Sequence, residues 1–108
     1  MEDLINRIFE ELKCKHNISK EFLKALLEAT KRFDHKQDVY ETDNISSTGE
    51  VGILTRIGDA FFEIRKYLEV DEDERVELQL TEEKIIKDFM DIGVFGLIGY
   101  LYIKGLWK

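Results

Sequence analysis

The sequence predicts an all-α fold, and three observations carry that prediction. There is no proline in the 108 residues, so nothing removes a backbone donor from a helix interior. Apolar residues recur at intervals of three and four in most segments, the period of a helix with one buried face. Runs of β-branched residues of the kind that mark strands are few. With 44% apolar and 11% aromatic residues the chain can bury a core. Its length suits a single all-α domain spanning residues 1–108, small enough to gain from oligomerisation.

Residues 2–15 repeat apolar side chains at Leu4, Ile5, Ile8, Phe9 and Leu12, which predicts a first amphipathic helix. His16 and Asn17 break it, and Ser19 is suited to cap a second helix that runs to about Lys36. Phe22, Leu23, Leu26, Leu27 and Phe33 lie on one side of that helix. His16 and His35 have no ligand-spaced partner and read as surface residues. Residues 37–50 form the least regular internal segment, where a long connection is either functional or disordered. Within it, Ser47 and Glu50 have capping-box spacing, so a third helix is expected to start about there.

The third helix continues through residues 51–69 with a core stripe of Ile53, Leu54, Ile57, Phe61, Ile64 and Leu68. Arg56, Asp59 and Glu63 are expected on its far side, where periodicity alone reads them as a solvated salt-bridge face. An acidic connection over residues 70–80 contains VELQL, which could be extended. A fourth helix is expected from Thr81, an N-cap residue followed by Glu82 and Glu83, to about Trp107. From Ile92 to Ile103 that helix is apolar on every side, so it must be buried among others. The run is too short for the ~20 residues of a membrane span. Gly93, Gly96 and Gly99 follow no strand and so form no dinucleotide fingerprint. They read as small residues that let neighbouring helices approach.

Positions 84, 88, 91, 95, 98 and 102 of the fourth helix share one face and read Lys84, Asp88, Asp91, Phe95, Ile98, Tyr102. Two carboxylates therefore sit on a row that turns apolar one helical turn later. Acids that close to a core need cations or metal ions as partners.

Composition narrows the function classes. A net charge of −7 disfavours nonspecific binding to nucleic acid or anionic membranes. The opening MEDLINRIFEEL is acidic and amphipathic, unlike the basic-then-apolar pattern of a secretory leader. Cys14 is alone, which excludes an internal disulfide and a cysteine zinc site. A cytoplasmic location is the expectation.

GEVGILTRIGDAFFEIRKYL followed by TEEKIIKDFMDIGVFGLIGYLYIKGLW resembles the MazG-like all-α nucleoside-triphosphate pyrophosphohydrolases, in particular the small phage-type "nucleotide modification associated" branch. That branch carries G-x-x-G-I-L-x-R-x-x-D-K and, after an acidic loop, E-D-T-x-x-D-hydrophobic-x-x-Y with an apolar helix ending near G-x-W. Gly49, Gly52, Ile53, Leu54, Arg56, Asp59 and Leu68 match the first block, and Asp88, Asp91, Gly105 and Trp107 the second. Lys36-Gln37-Asp38-Val39-Tyr40 is similar to a K-x-x-D-Y element upstream, so the likeness covers about residues 36–107. The resemblance implies a four-helix bundle that binds nucleotides as a homo-oligomer. It implies magnesium, with manganese as substitute, held by Asp59, Glu63, Asp88 and Asp91 for hydrolysis of a nucleoside triphosphate to monophosphate and pyrophosphate. Arg56, Lys84, Lys87 and Tyr40 would then contact substrate.

The chain also departs from the pattern. Asp59-x-x-x-Glu63 replaces the wider family's E-x-x-E, Lys87 stands where an acid is expected, Phe95 replaces the tyrosine, and Ala60 replaces a lysine. The alternative is therefore an inactive small acidic protein that sequesters a nucleotide or inhibits a host protein.

Overall fold

The computed structural model describes the backbone of residues 1–39 and 43–107 and the side chains of residues 1–37 and 48–107. The elements are α1 (Glu2–Glu11), α2 (Asn17–Val39), α3 (Asp43–Glu69), α4 (Glu72–Glu77) and α5 (Glu82–Ile103). The described residues contain no strand, so the fold class is all-α as expected. The chain divides into two compact units, Met1–Val39 and Tyr40–Lys108.

In the first unit α1 packs on α2. α1 stops sooner than its apolar period suggests because Lys13 takes the left-handed conformation at φ 56°. The Lys13 N–H then donates to the Glu10 carbonyl at 3.0 Å and Cys14 N–H to Phe9 at 3.1 Å, the paired bonds that close a helix end. α2 begins two residues before the expected Ser19, whose own N–H already donates to the His16 carbonyl at 3.0 Å. It also runs past Lys36 to Val39. Ile5 of α1 and Ala29 of α2 are buried, with Leu23, Leu26, Leu27 and Phe33 half-buried. Phe22 is exposed, because the ten-residue α1 covers only part of the α2 apolar face. Lys24 bridges the pair through Glu2 at 2.9 Å, and Lys20 lies 4.8 Å from the centre of the Phe9 ring. Both histidines are exposed, as read from sequence.

In the second unit α3 and α5 pack together in antiparallel register. Residues expected to be irregular are helical on both sides of 40–42, since α2 reaches Val39 and α3 starts at Asp43. Propensity was a weak guide there. The break falls instead at Gly49, whose φ of 61° and ψ of −149° interrupt α3. Those dihedrals are open essentially to glycine alone. A Cβ at Gly49 would also lie 3.1 Å from the Tyr102 hydroxyl oxygen. Regular helix resumes at Glu50, and α3 begins at Asp43, before the start expected from the Ser47–Glu50 spacing; the Ser47 side chain lies outside the described residues, as does Tyr40.

The α3–α5 core consists of Ile53, Ala60 and Ile64 from one helix and Ile85 and Ile98 from the other. Ile57 is half-buried along the same row. Leu54, Phe61 and Leu68, assigned to the core stripe from sequence, are exposed. α3 carries two apolar rows, and one partner helix covers only one of them. The same reason corrects the expectation for α5, which buries its face toward α3 but exposes Ile86, Phe89, Leu97, Tyr100 and Ile103. Of its glycines only Gly99 meets a neighbour, with a Cβ there falling 3.6 Å from Ile53 Cγ2; nothing lies within 4 Å of one at Gly93 or Gly96.

The VELQL stretch is not extended. Asp71 caps α4 by accepting from the Glu74 N–H at 2.9 Å, with three acids in the first turn. Arg75 ties α4 to the end of α3: its Nε donates to the Tyr67 carbonyl at 2.7 Å, and its guanidinium stacks 3.9 Å from that ring's centre. Gln79 ends α4 at φ 58°, with its N–H on Val76 and the Leu80 N–H on Arg75. Thr81 then caps α5 as expected, its hydroxyl accepting from the Lys84 N–H at 3.3 Å. α5 stops at Ile103, short of Trp107, because Gly105 turns left-handed at φ 73°. Among the described residues no helix is long and apolar enough to cross a membrane.

Two substitutions test this account of the turns. Gln79→Gly should raise stability by about 0.5–1 kcal/mol, because a left-handed residue costs a side chain ~1–2 kcal/mol and glycine gives part of that back as unfolded-state entropy. Gly49→Ala should lower it by about 1–3 kcal/mol. Urea titration followed by circular dichroism checks both, and an unchanged midpoint for Gly49→Ala would contradict the break at that residue.

Candidate functional site

The antiparallel register decides which charged residues meet. Gly49 lies beside Tyr102 and Ile53 beside Gly99, while the Arg56 guanidinium sits 5.4 Å from the centre of the Phe95 ring. Further along α3, Glu63 reaches Asp88 of α5. Glu63 is half-buried at this seam, which corrects its placement on the far, solvated side of the third helix. Periodicity misplaced Glu63 because the expected stripe merged the covered row of Ile53, Ile57 and Ile64 with the exposed row of Leu54, Phe61 and Leu68, which shifts its centre away from Glu63.

Asp88 is the unusual member. Its Oδ2 is fully enclosed and has no hydrogen-bond donor among the described residues. Burial is the largest influence on its carboxyl group, followed by the hydrogen bond with Glu63, then the charges of Glu63 and Asp91. Together they push its pKa from the ordinary 3.8 up to about 6, and Lys87 opposes them only weakly. Two ionised carboxylates cannot hydrogen-bond, so the Glu63–Asp88 contact exists only when the pair holds a proton.

The other expected site residues divide. Asp91 is half-buried one turn from Asp88, but its Oδ2 takes the Lys87 ammonium at 3.1 Å. Lys87, expected to contact substrate, is thus held along its own helix. Asp59 and Lys84 are exposed, and the seam does not enclose them. Arg56 is exposed too, although its stacking on Phe95 directs it along the seam. That stacking is not legible in the sequence, where Phe95 is a member of the inward row and a departure from the expected tyrosine. Ala60 was noted as a missing lysine; it is a buried core residue at which a long cation would prevent close helix packing.

The donor set of Glu63, Asp88 and Asp91 is all oxygen, which suits a hard cation such as magnesium. Among the described residues, however, no group of three or more His, Cys, Asp or Glu is placed around one cation position. Magnesium commonly takes one or two protein carboxylates and completes its shell with water and phosphate oxygens. The Glu63–Asp88 pair with its enclosed, unpartnered oxygen fits that mode, and the described residues form no complete protein cage.

The pKa of Asp88 has a sign that can be tested. A native pKa raised above the unfolded value means the folded chain binds the proton more tightly, so the contribution of Asp88 to stability is full below about pH 4 and is lost as pH rises through 6. Asp88→Asn keeps a donor toward Glu63 without the charge. It should therefore raise the denaturation midpoint relative to wild type at pH 7 and give no gain at pH 4. A loss of stability at pH 7 would show that Asp88 is held by a cation instead.

Comparison with protein-family models, with curated proteins and with solved structures returns no match for this chain.

Proposed function

We propose that the chain is a nucleotide-binding, MazG-like helical domain that assembles as a homo-oligomer and hydrolyses a nucleoside triphosphate with magnesium. The observation that carries this reading is the Glu63–Asp88 pair, two carboxylates from facing helices with one oxygen enclosed and lacking a donor. Such a pair is unfavourable near neutral pH unless a cation or a proton joins it. Magnesium and its bound phosphates would supply the positive charge, and the metal would lower the pKa of a bound water to make a nucleophile. Glu63 and Asp88 would hold the ion, with Asp91 and Asp59 as the nearest further acids in the two helices. Arg56, exposed beside the seam and stacked on Phe95, would meet a phosphate oxygen. With a net charge of −7, the protein needs that metal to admit a polyanion.

One observation favours the inactive alternative. Lys87 neutralises Asp91 at 3.1 Å, where the resemblance calls for another acid. A lysine in that place reduces the negative charge available for a second ion. A chain that binds a nucleotide or a host protein without turnover would tolerate it.

Pyrophosphate release from a panel of ribo- and deoxyribonucleoside triphosphates, with magnesium or manganese, separates the two. The expected result is metal-dependent release with at least one substrate, abolished by Glu63→Gln and by Asp88→Asn while helix content is retained. Nucleotide binding without release would assign the chain to the inactive class. Absence of both metal and nucleotide binding in calorimetry would overturn the nucleotide reading altogether.

A further inference from the structure

The outer face of α5 carries a row whose spacing reads the same in both directions. Glu82, Ile86, Phe89, Gly93, Leu97, Tyr100 and Lys104 follow one another at steps of four, three, four, four, three and four, and all seven are exposed. Between its charged ends the row holds no ionisable carboxylate or ammonium group. At its centre, nothing lies within 4 Å of a Cβ placed on Gly93. The row is about 33 Å long at 1.5 Å per residue.

The geometry points to a second copy of this chain as the occupant of that face, packed antiparallel about a two-fold axis through Gly93. In that arrangement Gly93 meets the same residue of the other copy, and the missing side chains allow close approach. Phe89 then faces Leu97, Ile86 faces Tyr100, and Glu82 faces Lys104, each pair occurring twice. The end charges match only in this orientation, because parallel packing would set Glu82 against Glu82 and Lys104 against Lys104. The Lys104 ammonium already lies along the row, 5.8 Å from the centre of the Tyr100 ring. Ile86, Phe89, Leu97 and Tyr100 each leave more than half of their surface open. At on the order of 100 Å² apiece, with Ile103 beside them and the polar rim around them, they approach the ~800 Å² per partner of a standard interface. This inference deepens the assembly part of the proposed function and uses no residue of the carboxylate site. Its test needs no nucleotide, so the two can fail separately.

Sedimentation equilibrium and light scattering on the full chain at tens of micromolar should give a dimer. Gly93→Arg should weaken association by at least about ten-fold, since it places bulk and charge at the crossing point. Helix content should be unchanged or higher, because nothing crowds that position and glycine is a poor helix former. Lys104→Glu should also weaken the dimer, and Glu82→Lys combined with Lys104→Glu should restore it to near the wild-type level. A monomeric wild type, or a dimer indifferent to Gly93→Arg, would overturn the proposal. A charge swap that fails to restore a dimer weakened by Lys104→Glu would overturn the antiparallel orientation.

Discussion

Antiparallel packing of α3 on α5 is the constraint from which the rest of the second unit follows. It buries Ile53, Ala60, Ile64, Ile85 and Ile98 in one line, and such contacts supply most of the stability a helix pair has. The register is set at one end by the break at Gly49 against Tyr102 and at the other by the short α4 turn. Arg75 anchors that turn to the Tyr67 carbonyl in the last turn of α3. Once those ends are fixed, Arg56 must fall on Phe95 and Glu63 must fall on Asp88. The charged pair is therefore a consequence of hydrophobic register, and its cost is borne by the packing on either side of it.

That cost gives the seam its chemical character. A proton relieves it below about pH 6, and a cation would relieve it above. Ala60, buried one turn from Glu63, keeps the backbones close there, so the carboxylates cannot separate without loosening the isoleucine line. Lys87 is committed to Asp91 along the same helix and leaves the Asp88 oxygen unserved. The arrangement differs from a simple surface salt-bridge face, in which each acid would turn to water.

Much of this was legible from residues alone. Of the row Lys84, Asp88, Asp91, Phe95, Ile98 and Tyr102, all but the exposed Lys84 lie at least half-buried as the face that turns from acid to core, because helical spacing needs no tertiary information. The Thr81 cap was legible for the same reason, since capping is local. The α3 stripe was not, because that helix has two apolar rows and only the position of α5 tells which is covered. Glu63 was misplaced as a direct result. The closing turns at Lys13 and Gln79 were also hidden, as neither residue is a usual left-handed capper. VELQL read as extended because its alternation masked a six-residue helix started by Asp71.

The central claim is that Asp88, facing Glu63 across a seam held in fixed register, holds its proton more tightly than a free aspartate does. Carbon-detected NMR titration of the side-chain carboxyl groups measures it directly. The account predicts an Asp88 midpoint near 6, shifted down by Glu63→Gln, which removes the opposing charge and supplies a donor. It further predicts that adding magnesium lowers the same midpoint. An Asp88 midpoint in the ordinary aspartate range near 4, unaffected by Glu63→Gln, would contradict the account.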